Sequence, residues 1–172
     1  MSFYALAKAR YSCRSLSDRP VSKEAVSRII AAGMAAPTAC NYQPFRIWVM
    51  ESEEALAKIK SCTKQKFVLP APVVFVIGAC PEEGWVREFD SRNFAAVDAT
   101  IAATHMMLQI QDLGLGTTWI GHFDVNAAKE KFPDMADCDL IAMFAVGWPA
   151  DDAAPAVLHD KTKEASEIVR RM

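Results

Sequence analysis

A basic surplus is missing from this chain: 19 lysines and arginines face 21 acidic residues, for a formal net charge of −2. Nothing in that balance recommends a nucleic-acid partner. Long apolar runs are missing too. The run 73–79 is far shorter than the ~20 residues that cross a bilayer, so no membrane span is expected. Residues 1–8 lack the layout of a secretory leader, and we expect a cytoplasmic protein. Metal-ligand spacing is absent. The three histidines, His105, His122 and His159, are scattered, and the five cysteines, Cys13, Cys40, Cys62, Cys80 and Cys138, contain no C-x-x-C. Their odd count and wide spacing argue against both a zinc site and a disulfide framework. No internal repeat, low-complexity stretch, catalytic triad or carboxylate pair is found. What remains is a chain of 172 residues, 52% apolar. That is the size of one domain, 1–172, with enough apolar side chain for a real core.

Periodicity divides the chain into alternating elements. A first helix is expected over Phe3–Ala9, with the residues from Arg10 to Arg14 at or just past its end. Ser22 caps a helix running to about Met34, with Val26, Ile29, Ile30 and Gly33 at helical spacing. Residues 46–51 alternate as a strand, and 53–62 read as a helix with Leu56 and Ile59 on one side. The run 73–77 has the continuous apolar character of a strand buried on both faces. Residues 81–92 are polar and charged around Trp85 and Phe89, a candidate lid. Residues 94–113 form a long helix, apolar nearly all round and rich in alanine, expected to be buried and able to pack on a second helix, including one from another subunit. Residues 117–120 are a short strand or turn, and 141–146 a further buried strand. Helices interleaved with three or four buried strands predict an α+β or α/β sandwich.

Two strings carry candidate chemistry. Arg10-Tyr11-Ser12-Cys13-Arg14 places two guanidiniums and a hydroxyl on one short stretch. In a helical turn residues four apart share a face. Arg10 and Arg14 are then expected to point the same way, suiting a phosphate or another flat, electron-rich anion. Pro37-Thr38-Ala39-Cys40-Asn41-Tyr42-Gln43-Pro44-Phe45 is a turn-rich polar segment ahead of a strand, with amides and backbone groups to offer a ligand. Taken singly, the arginines also read as a solvated helix face, Asn41 as a turn residue and Gln65 as a surface residue. Trp85 reads equally as a lid aromatic or as packing. Cys13 and Cys40 read as small fillers, with a redox-sensitive Cys40 as the sharper alternative.

The order and separation of these strings resemble the FMN-dependent nitroreductase family, over nearly the whole chain. The resemblance implies an α+β sandwich with a mainly antiparallel central sheet flanked by helices, assembled as a homodimer with FMN sites shared between subunits. Arg10 and Ser12, with Tyr11 between them, match residues that hold the phosphate and ribityl chain, and Arg14 matches the basic residue beside the pyrimidine edge. Pro37, Thr38, Ala39 and Asn41 match a segment that faces the partner's FMN. Gln65 is similar to the family's glutamine on the ring edge, and Ile120 and Gly121 to the stretch passing near the reactive ring nitrogen. Gly147-Trp148-Pro149 resembles the G-x-P that closes the last core strand. His159 and Lys161 are the nearest fit to a basic pair that grips the phosphate. If His159 serves there, binding should weaken as pH rises through the range in which histidine loses its proton. Thr38 stands where serine is usual, and Phe45 where tryptophan is usual. The implied activity is NAD(P)H-dependent reduction of a small, flat, electron-poor acceptor, such as a nitroaromatic or a quinone, by ping-pong hydride transfer. The cofactor carries the chemistry, so no catalytic side chain is assigned. Other flavin chemistry on the same fold, including dehalogenation and enone reduction, and a non-catalytic FMN-binding or redox-sensing role remain open.

Overall fold

A computed structural model describes residues 2–172. The first helix, α1 (Phe3–Ala9), is capped by Ser2, whose side chain accepts from the N–H of Ala5. The second, α2 (Lys23–Met34), begins where Ser22 accepts from the N–H of Ala25, and it buries Val26, Ile29 and Gly33. Strand β1 (Phe45–Met50) follows, then α3 (Glu53–Lys60) with Ser52 as its cap, and β2 (Val73–Ala79). Residues 81–93, which include the candidate lid, are folded. They make a short 3-10 turn and a two-stranded hairpin, β3 (Val86–Arg87) with β4 (Arg92–Asn93). An Arg87–Asp90 ion pair closes the hairpin. Trp85 packs edge-on against Phe94 with ring centres 5.2 Å apart. Helix α4 (Ala95–Asp112), strand β5 (Trp119–Ile120), helix α5 (Val125–Lys131), strand β6 (Asp139–Val146) and a single turn, α6 (Ala165–Ile168), complete the chain.

The sheet runs β1-β2-β6-β5, antiparallel at every step. Strand β2 is central, and its side chains sort by parity, as a pleat requires. Val73, Phe75 and Ile77 face a layer built from α2 and α4, against Ile29, Ala99, Ala103 and Met106. Val74 and Val76 face the other layer, against Ile59, Val68, Ala128 and Met135. The continuous apolar run of β2 therefore reflects a central antiparallel strand covered on both sides. Fully burying a side chain the size of Phe75 or Phe144 contributes about 1.5–3 kcal/mol each, and both have no exposed surface. Gly33 lets α2 close on α4, since a Cβ there would come 2.8 Å from Met106 Cγ.

Helix α4 is not buried all round. Ala95, Asp98, Ala99, Ala102, Ala103, Met106 and Ile110 face the core, while Val97, Ile101, Thr104 and Leu108 stay partly exposed on the opposite side. Those four recur at helical spacing and form an outward apolar stripe. Among the described residues no helix is long and apolar enough to cross a membrane.

Candidate functional site

The expectation that Arg10 and Arg14 share a helical turn is corrected. Helix α1 stops at Arg10, whose ψ of 129° is extended, and the chain to residue 15 is irregular. The string is held instead by long-range bonds. The N–H of Cys13 donates to Thr117 O at 2.9 Å, and that of Ser17 to Trp148 O at 2.9 Å. The Cys13 side chain fills the gap beside Gly116, where a Cβ would come 2.8 Å from its sulfur. Cys13 is thus an anchor facing the core, 1% exposed, and the arginines are sent to two separate cavities.

Arg14 lines a small open cavity of about 120 Å³ with Gln65, Phe67, Trp119, Ile120 and Gly121. Trp119 is braced edge-on by Phe144 at 5.5 Å. Gly121 leaves the backbone bare, since a Cβ built there meets nothing within 4 Å, and its φ lies outside the left-handed region. The glycine is therefore required neither by local geometry nor by packing within the chain. What it leaves is unobstructed backbone beside the cavity. Phe67 and His122 also line this cavity, and sequence reading missed both. The available signal for His122 was its place directly after Trp119-Ile120-Gly121.

Arg10 lines a larger cleft of about 730 Å³ with Tyr4, Lys8, His159, Asp160 and Thr162. Two permanent cations and a histidine meet there against one carboxylate. The Tyr11 ring stands edge-on to His159 at 6.4 Å, and burial, helped by a hydrogen bond with Cys13, pushes its phenol up to about 12. Lys161 is exposed and lies outside this lining. Ser12 offers its carbonyl to Arg14 Nη1 at 3.4 Å.

The segment 37–44 stands elsewhere, at the entry to β1. Thr38 Oγ1 accepts from the N–H of Gln43 at 3.1 Å, and Gln43 Nε2 donates to Asn41 Oδ1 at 2.8 Å. Cys40, Asn41 and Gln43 all have positive φ, at 50°, 59° and 53°, a strained state that persists only where surroundings enforce it. One such restraint was not foreseen. Asp98 of α4 is 2% exposed and accepts from the N–H of Ala39 at 3.1 Å through Oδ1, while its Oδ2 has no partner. The available signal was a carboxylate on the alanine-lined face of α4.

The two halves of the predicted site are not brought together in one chain. Strand β1 forms one edge of the sheet and β5 the other. Three strand spacings of about 4.8 Å, roughly 14 Å in all, separate them. Neither cavity is lined by any residue of 37–44.

A model of the nitroreductase family matches residues 7–67 and 59–148. The chain belongs to the nitroreductase family. The matched spans contain the string 10–14, the segment 37–44, Gln65, Ile120 and Gly121, whereas His159 and Lys161 lie beyond them. A crystal structure of a nitroreductase family protein from Clostridium difficile is 31% identical, covers 99% of this chain and 98% of its own, and superposes with a TM-score of 0.89. A structure from Desulfovibrio desulfuricans, described as a nitroreductase in complex with FMN, is 25% identical, with coverage of 98% and 95% and a TM-score of 0.79. A relative from Archaeoglobus fulgidus, named for NADH dehydrogenase and NAD(P)H nitroreductase, is 27% identical over 154 residues, 83% of each chain. The sandwich with an antiparallel sheet, expected from the sequence, is thus the fold of this family.

Proposed function

We propose that this nitroreductase is an FMN-dependent NAD(P)H oxidoreductase acting on small, flat, electron-poor acceptors such as nitroaromatics and quinones. The observation that carries the reading is the open cavity where Arg14 and Gln65 meet the bare backbone of Gly121. Its donor set suits the polar edge of a flat heterocycle, and the unobstructed backbone lets a ring approach closely. The cation-rich cleft around Arg10, Lys8 and His159 suits a phosphate. Both cavities flank the same short string.

FMN held by Arg14, Gln65 and Arg10 would supply two-electron hydride chemistry between a reduced nicotinamide and an acceptor, in ping-pong order. The chain's part is binding and electrostatics. Arg14 keeps a fixed positive charge beside the cavity, favouring the negative charge that reduction brings there. Trp119, Phe67 and Ile120 line the cavity. Arg10, with His159 in preference to Lys161, holds the phosphate.

The same reading makes the protein a homodimer with two shared sites. Its supports are the outward stripe Val97, Ile101, Thr104 and Leu108 on α4, the separation of 37–44 from both cavities, and the exposed apolar residues Phe3, Tyr4, Val157, Leu158 and Ile168 at the two ends of the chain.

The deciding experiment is the visible absorption spectrum of the purified protein, before and after anaerobic NADH and NADPH. A flavin band that bleaches with either donor and returns with a quinone is the expected result. A band that neither donor bleaches reassigns the protein to flavin binding without turnover. No band after incubation with FMN and removal of the excess sinks the reading.

A further inference from the structure

Two buried thiols lie outside both cavities. Cys80 directly follows β2 and Cys138 directly precedes β6. The register pairs Gly78 with Leu140 and Ala79 with Asp139, and one step further it sets Cys80 opposite Cys138. The N–H of Cys80 points away from β6, to Pro44 O at 2.9 Å, and that of Cys138 goes to Met135 O at 3.3 Å. Extended by that one step, the register sets the two cysteines side by side just beyond the ladder, and a non-hydrogen-bonded antiparallel pair in such a place has Cα atoms about 4.5 Å apart. That separation falls within the roughly 4.4–6.8 Å typical of disulfides. Gly78 keeps the space free, since a Cβ there would come 3.1 Å from Cys138 Cβ and 2.8 Å from the Trp48 ring. Both thiols are unbridged and only 5% and 6% exposed. Burial, and then the neighbouring Cys138 side chain, push the Cys80 thiol up to about 12, while the Arg46 guanidinium nearby pulls the other way.

We propose that Cys80 and Cys138 are a reversible redox pair, converted by a hydroperoxide into a cross-strand disulfide. One sulfur attacks the peroxide O–O bond, giving a sulfenic acid and water. The second sulfur then displaces the hydroxyl from the first, which leaves as water with the thiol proton. Two thiols and one hydrogen peroxide become one disulfide and two waters, and two electrons pass from sulfur to oxygen. The pair sits among buried side chains that only a small oxidant reaches, and Arg46 offsets part of the burial that holds the Cys80 thiol protonated. The bond ties the root of the 81–83 turn and the β3–β4 hairpin to the loop ahead of β6. The Arg46–Glu83 ion pair already pins that root from the β1 side.

The test uses full-length protein carrying Cys40→Ser, which removes the exposed thiol. It is treated with hydrogen peroxide, unfolded in alkylating agent and mapped by mass. Expected are the loss of two hydrogens per chain, one linked peptide pair containing residues 80 and 138, reversal by dithiothreitol, and a rise in Tm of roughly 5–10 °C. Adding Cys138→Ser, or separately Cys80→Ala, should abolish the link and the Tm rise. The proposal is overturned if residues 80 and 138 both remain alkylated, if they are recovered as separate sulfinic acids, or if the link forms through Cys13 or Cys62. None of these readouts depends on bound flavin, so failure here leaves the functional reading intact, and the reverse also holds.

Discussion

At the scale of single residues, the site depends on what is left out as much as on what is supplied. Gly121 is the clearest instance. Its φ permits any residue, and a Cβ there touches nothing, so a larger side chain alters the cavity without straining the chain. Gly121→Val is expected to weaken FMN binding by about tenfold or more, which is about 1.4 kcal/mol, with Tm within about 2 °C of the parent. An unchanged dissociation constant in a flavin titration would show that no ring approaches this backbone. Titratable residues make a separate prediction. Cys80 rises from 9.0 to about 12 on folding, and Tyr11 from 10.0 to about 12. Both hold their protons more tightly folded than unfolded. The stability they contribute is fully present below the unfolded values and is lost as pH rises towards the folded ones. Urea midpoints should be level up to about pH 9 and fall between about pH 9 and 12. In Cys80→Ser the onset of the fall should be shallower, because of the groups raised by burial only Cys62 and Tyr11 remain. An identical onset in both proteins would remove Cys80 from the account.

At the scale of elements, the chain announced what is locally encoded. The capping serine and helical spacing marked α2, and the alternation and apolar runs marked β1 and β2. Strand order was not legible, because the neighbours of β2 come from residues far away in sequence. Helix α5 was missed although Asp124 caps it by accepting from the N–H of Ala127. It spans only 7 residues and buries only Ala128, too little to print a period. The string 10–14 was legible as chemistry but not as conformation. Cys13, which reads as a neutral filler, is what pulls it out of the helix and onto the sheet. Asp98 was hidden because a carboxylate in an alanine-rich helix looks like its solvent side. Its role is testable between elements, since it joins α4 to the strained segment 38–43. Asp98→Ala should cost about 1–3 kcal/mol in urea denaturation, the range for leaving a partner unsatisfied. Asp98→Asn keeps an acceptor for the N–H of Ala39 and should cost clearly less. Equal losses in the two variants would mean that the bond to Ala39 contributes little.

At the scale of the whole molecule, the proposed reading divides the site between opposite edges of one sheet. Arg14, Gln65 and Ile120–Gly121 gather near β5, and Pro37 to Asn41 stand near β1. The proposed two-fold dimer, packing the outward stripe of α4 against its copy, would let the β1 end of one chain meet the β5 end of the other, so that every site would draw on both chains. Complementation tests this. Arg14→Ala damages one half-site, and replacing Asn41 with a bulky, wrongly charged residue, as in Asn41→Arg, damages the other. Each variant alone should bind little flavin. Co-expressed in equal amounts with distinct tags, they should form heterodimers in which one site carries both substitutions and the other carries neither. Random pairing then restores about a quarter of the parent flavin content, all of it in the doubly tagged fraction. Recovery confined to that fraction requires shared sites. If flavin content stays at the level of the separate variants although doubly tagged dimers are isolated, each chain must complete its own site, and the shared-site reading falls.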